Sequence, residues 1–206
     1  MPRTGLTADT IIEAAAQMAN EIGIDKISIK LLAEKFNIKS PSFYNHFTNL
    51  DEIKNGVMLY GWKQLEEKAL RAAVGVSGYD AVKAICYAFY DYATSNAGIF
   101  DAMLWYNNFQ DEKAHKATQN MFDMIYKITA SLNISEQNSR HLVRMFRSFL
   151  EGFCLLVNKK SFGNPLPISD TFALSVDTLI AGMKSLENIM QGAKQYDTKF
   201  RRQDRK

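Results

Sequence analysis

Proline stands only at positions 2, 41, 165 and 167. The interval between Pro41 and Pro165 shows apolar residues at three- and four-residue spacing, without the period-2 alternation of strands. A proline inside a helix removes a backbone hydrogen bond and clashes with the preceding turn. So long a proline-free interval therefore permits long helices, and the 3.6-residue period calls for them. The chain reads as all-α.

Local signals divide it. Thr7 can cap a first helix over 7–22, with Leu6 and Ile11 as a hydrophobic staple and Gly23 as its stop. Ser28 can cap a second, with Ile29, Leu32, Ala33 and Phe36 on one face. Asn37 sits where the chain must turn and tolerates the left-handed conformation. Ser40 as N-cap and Pro41 at the first helical position open a third helix to Phe47, with Phe43 and Phe47 inward. Ser42, Tyr44, Asn45 and His46 then lie outward, the pattern of a helix-turn-helix over 28–47. Asn49 followed by Glu52 reads as a capping box that opens a long helix to Ala73. The glycines in Val74–Tyr79 mark a domain boundary. Further helices are expected over 80–95, 98–109, 111–132, 135–158 and 169–191.

Four segments follow: 1–52 with the helix-turn-helix, 53–79 as a connecting helix and linker, 80–193 as a second, all-helical domain, and 194–206 as a basic tail. That tail holds six basic residues against two acidic ones, so it accounts for more than the whole net charge of +3. Any nucleic-acid footprint must come from placed charges, not bulk basicity.

Other classes find little support. Cys86 and Cys154 are the only cysteines and lie far apart, so neither a disulfide framework nor a zinc spacing is visible. His46, His115 and His141 show no metal spacing, and no phosphate-binding glycine loop or nucleophile elbow occurs. No metal, cofactor or catalytic residue is expected. The chain shows neither a secretory apolar region nor a membrane-length run, so a cytoplasmic protein without a membrane partner is expected. Along the last two helices Leu142, Phe146, Phe149, Phe153 and Leu156, then Phe172, Val176, Leu179, Met183, Leu186 and Met190, recur at helical spacing. Such seams suit either packing within the chain or a dimer interface.

The stretch from Leu6 to Tyr60 resembles the tetracycline-repressor (TetR) family of transcriptional regulators. The resemblance rests on Ala19 to Gly23, Ser28-x-x-x-Leu32-Ala33, Ile38-x-Ser40-Pro41-Ser42-Phe43-Tyr44-x-His46-Phe47, and Asp51-Glu52-Ile53. The second half is similar to one subgroup of that family's ligand-binding domains through Gly98-Ile-Phe-x-x-Met-Leu, Phe162-Gly-x-Pro and Phe172-x-x-x-Val-Asp-x-Leu-Ile-Ala-Gly182.

The resemblance implies a three-helix DNA-binding domain, a connecting fourth helix and an all-α regulatory domain. It implies that Ser28, Lys30, Lys39, Ser40, Pro41, Ser42, Tyr44, Asn45 and His46 meet double-stranded DNA at an operator. Leu50 stands where the family usually carries a phosphate-holding lysine, and Lys54, one turn on, is the candidate replacement. It implies a homodimer through the last two helices, which assigns Phe146, Leu150, Phe172, Val176, Leu179, Met183, Leu186 and Met190 to the interface. It also implies a small-molecule effector, mainly apolar, for which Phe89, Met103, Trp105, Tyr106, Phe109, Phe122, Tyr126, Phe149 and Phe153 are the candidate lining. The function expected is a homodimeric repressor released from a near-palindromic operator by that effector. The alternative is an all-α small-molecule-binding or enzymatic protein whose N-terminal motif is only structural.

Overall fold

The structure, a computed structural model, describes residues 6–105, 112–132 and 134–185. These form α1 (Ala8–Ile22), α2 (Ile29–Phe36), α3 (Leu50–Ala73), α4 (Gly78–Ser95), α5 (Ala97–Trp105), α6 (Glu112–Ser131), α7 (Glu136–Asn158) and α8 (Ile168–Lys184), with 3-10 segments at Ile24–Lys26 and Ser40–Asn45. The fold is all-α, with no strand among the described residues. None of its helices is long and apolar enough to cross a membrane.

Capping chemistry places the first elements. The Thr7 side chain accepts from the Thr10 backbone N–H, and the Thr10 hydroxyl oxygen accepts from the Thr7 N–H at 3.0 Å. Thr10 thus supplies the reciprocal half of a capping box. Ser28 caps α2 by accepting the Leu31 N–H at 3.2 Å. Asn37 ends α2 in the left-handed region, at φ 53°. Between α3 and α4 the chain reverses through Gly75, whose φ of 80° suits a residue without a side chain.

Helix α3 is the central post, packing against α1, α4, α5 and α6. Two glycines let neighbours come close to it. A Cβ on Gly56 would meet the Ile12 side chain of α1 at 2.7 Å. One on Gly61 would meet Ile99 of α5 at 2.7 Å and Met103 at 2.8 Å. Each glycine costs a helix interior about 1 kcal/mol relative to alanine, and the close crossings explain its presence. Around this post α7 packs on α4, α5, α6 and α8.

A further crossing joins the first helix to the second half of the chain. The Asn20 side-chain oxygen, near the end of α1, accepts the backbone N–H groups of Gly98 and Ile99, each at 3.1 Å, while its amide donates to Asn96 at 3.0 Å. The opening turn of α5 is therefore capped from another part of the protein. A Cβ on Gly98 would lie 1.8 Å from the Ala19 carbonyl oxygen, so only glycine fits.

The aromatic seam residues serve the interior of the single chain. Phe172 meets Tyr90 at a ring separation of 4.3 Å, Phe153 at 5.3 Å and Phe149 at 6.0 Å, tying α8 to α4 and α7. Phe172, Val176, Met183 and Leu150 are buried without any partner chain, which corrects their assignment to a subunit interface. Phe146 is partly buried against the same core, and Leu179 is half-buried. Leu186 and Met190 lie outside the described residues. Leu156 of the first seam is exposed, and α4 packs against α8 on the side that the sequence assigns to a second copy.

Candidate nucleic-acid interface and cavity

Phe43 anchors the third element of the N-terminal unit. It is 1% exposed and meets Phe36 of α2 edge-on, with ring centroids 6.2 Å apart. Phe47 is buried beside this core. Ser42 N–H donates to the Lys39 carbonyl at 3.0 Å, and His46 N–H to the Phe43 carbonyl at 2.9 Å. These three-residue links make the segment a 3-10 helix of six residues, where the sequence suggested an α-helix to Phe47. Ser40 is its first residue, not its cap, and Lys39 holds the cap position without a side-chain bond.

With both phenylalanines committed inward, the opposite side is left polar. Lys30, Lys39, Pro41, Tyr44, Asn45 and His46 are exposed, and Tyr44 presents 59% of its surface. Ser28, Ser40 and Ser42 are half-buried along the same segments. Nine of the ten residues expected to meet DNA thus retain solvent access. Lys54 is the exception. At 8% exposure it is buried on α3, which corrects its reading as a phosphate anchor.

The loop behind this face is fixed by Thr48 and Glu52. Asn49 caps α3 by accepting the Glu52 N–H at 2.9 Å, as its position suggests. The Glu52 carboxylate reaches back to Thr48 instead of Asn49, accepting its backbone N–H at 2.7 Å and its hydroxyl at 2.9 Å. These two donors, the backbone N–H foremost, hold the Glu52 carboxyl below its ordinary pKa.

The second site is a cavity among α3, α4, α6, α7 and α8. Its wall comprises Trp62, Val82, Ile85, Cys86, Phe89, Met121, Phe122, Ile125, Ile128, Thr129, Leu142, Val143, Phe146, Arg147, Leu150 and Met183. The space open to the centre of a water molecule is about 70 Å³, so the lumen is narrow. Thr129 spends its hydroxyl on the carbonyls of Ile125 and Tyr126, and burial pushes the Cys86 thiol up to about 12. The wall is therefore apolar and uncharged except at Arg147.

Of the lining residues expected, Phe89 and Phe122 are in place. Met103 instead fills the crossing of α3 and α5, and Phe149 and Phe153 belong to the aromatic cluster around Phe172. Trp105 is 74% exposed at the end of α5, and Tyr126 lines surface grooves outside the cavity. Tyr106 and Phe109 lie outside the described residues. The lining that the sequence reading lacks follows helical periods, as in Val82, Ile85 and Cys86, which lead up to Phe89. Periodicity marks such a face as inward but does not say whether a helix or a void faces it.

Among the described residues no His, Cys, Asp and Glu group is placed to hold a metal ion. Residues 11–54 match the family described as bacterial regulatory proteins, tetR family, and residues 82–179 match the tetracyclin repressor-like C-terminal domain. The HTH-type transcriptional regulator YobS of Bacillus subtilis (strain 168) is 30% identical over 188 residues, which cover 88% of this chain and 95% of that protein. The chain belongs to the TetR family. It is a transcriptional regulator with a DNA-binding helix-turn-helix.

Solved structures share the fold. A TetR variant from Acinetobacter baumannii AYE in complex with minocycline superposes with a TM-score of 0.70 at 18% identity, covering 88% of this chain and 98% of that one. A BioQ in complex with its double-stranded DNA operator gives 0.62 at 17% identity, covering 86% and 99%.

Proposed function

We propose that this TetR-family chain is a homodimeric repressor that leaves a near-palindromic operator when a small, mainly apolar effector enters the cavity. The observation that carries this reading is the run of α3. It starts at Leu50, directly behind the exposed Tyr44–His46 edge, and continues unbroken to Trp62 in the cavity wall. At 1.5 Å per residue the two points are about 18 Å apart on one rigid element. An occupant that displaces Trp62 moves the base of the reading unit.

In this reading Lys30 and Lys39 hold phosphates, while Asn45 is the side chain best suited to reading an adenine edge. The dimer uses the outward side of α7 and α8. There Leu156 and Leu174 are exposed, and Gly152 and Ala181 allow close approach of a second copy. Two reading units on a two-fold axis would address major grooves about 34–36 Å apart. The minocycline-bound and operator-bound relatives support a family device of this kind.

The test begins with selection of an operator from random DNA. Binding should fall steeply with salt, disappear in Tyr44→Ala and weaken in Lys30→Ala. Binding that ignores both substitutions would remove the assigned face. Effector and operator must also weaken each other by the same factor.

A further inference from the structure

The cavity is not closed on every side. A surface groove between α6 and α7 shares Phe122, Val143 and Arg147 with its wall, so the two spaces adjoin at these side chains. By the same measure of space the groove offers about 380 Å³ against about 70 Å³ inside. Arg140, Arg144 and Arg147 follow one another at +4 and +3 along α7, with His141 and Gln137 beside them. No acidic side chain among the described residues lines the groove.

The charges there do not all cancel. Glu136 pairs with Arg140 at 2.6 Å, and Glu151 pairs with Arg147 at 2.6 Å. Arg144 is exposed and has no carboxylate partner among the described residues. The Arg147 guanidinium stands 5.8 Å from the centre of the Trp62 ring, at the point where the polar groove gives way to the dry lumen. Arg144 in the groove, without a carboxylate partner among the described residues and beside a narrow apolar lumen, selects a molecule with two ends.

Resting on the reading of the cavity as the effector site, we propose that the effector is an amphipathic anion. Its unbranched alkyl chain fills the lumen, and its carboxylate or phosphate head lies in the groove on Arg144, with Arg147 at the neck. The narrow lumen suits a single chain, whereas a fused-ring body would need the helices to part. Guanidinium groups bind both kinds of anionic head through paired N–H donors.

The experiment uses the full chain and measures binding of dodecanoate, dodecyl phosphate and dodecanol by calorimetry. At least one of the two anions should bind about tenfold or more tightly than the alcohol. Their ratio then tells a carboxylate head from a phosphate head. In Arg144→Gln that advantage should vanish while dodecanol binds as before, which also shows that the variant is folded. Widening no part of the groove but filling the lumen, Ile125→Trp should weaken all three ligands together. Equal binding of alcohol and anions, or an anion preference that survives Arg144→Gln, overturns the head-group site and leaves the repressor reading intact. Anion binding as expected that fails to release the selected operator keeps the site and removes the repressor reading.

Discussion

The N-terminal unit and the helical bundle behind it use the same kinds of side chain to opposite ends. In the unit before α3, Phe43, Phe47, Leu32 and Ile11 are buried and the distinctive chemistry lies outside, on Tyr44, Asn45 and His46. In the bundle, Phe89, Ile125, Phe146 and Leu142 face a space that no described residue fills. A reader of DNA needs a rigid interior and an informative exterior. A sensor needs an interior that is left unfinished. One hydrophobic core is continuous through both, so the difference lies in packing, not composition.

The sharpest way to break this comparison is to act on the bundle and read the result in the unit. Leu174→Arg places a charge on the exposed apolar side of α8, 70% exposed in the single chain. It should give a monomer by sedimentation and lower operator affinity by about 10²–10⁴-fold through loss of the second half-site. An unchanged affinity would detach DNA reading from dimerisation. Phe43→Ala should cost about 3–5 kcal/mol in denaturant unfolding, since the residue is almost wholly enclosed.

A smaller change tests the joint between the two regions. Asn20→Ala leaves the Gly98 and Ile99 N–H groups without their acceptor and should lower stability by about 1–3 kcal/mol in the same assay. Tyr44→Ala, next to Phe43 in sequence but outside, should leave stability within about 0.5 kcal/mol while operator binding is lost in a gel shift.

The weakest effect concerns the loop behind the reading face. The Glu52 carboxyl titrates below its ordinary value of 4.5 in the folded protein. Its grip on Thr48 is thus complete above that value and is lost as pH falls through the lower, folded one. Protection of the amides at the start of α3, taken relative to their intrinsic exchange rate at each pH, should stay flat down to the ordinary carboxylate range and fall only on further acidification. In Glu52→Gln that acid step should be missing.

The two regions were also unequally legible in the sequence. Thr7, Ser28, Asn37 and Asn49 mark their boundaries by chemistry that acts within three or four residues, so the helix-turn-helix was readable from the chain alone. Even there, the burial of Lys54 depends on how α3 meets its neighbours, and no local signal carries that. The bundle was readable as helices but not as surfaces. Phe172 faces α4 and α7, not a second copy, and Met103 faces Gly61, because long-range packing decides which neighbour an apolar stripe receives. The crossings at Gly56, Gly61 and Gly98 were equally silent, since a glycine inside a helix does not announce what approaches it.

The cap that Asn20 lends to α5 bears on how such regulators can be recombined. A chimera that grafts a foreign DNA reader onto residues 78–185 inherits a helix whose Gly98 and Ile99 amides were satisfied from the discarded part. The natural seam for an exchange therefore lies not at the linker before α4 but around a matched pair, an asparagine late in the first helix and a glycine opening the fifth. Grafts that keep both should fold and respond. Grafts that keep one carry a mismatched latch, whatever the length of the linker between them.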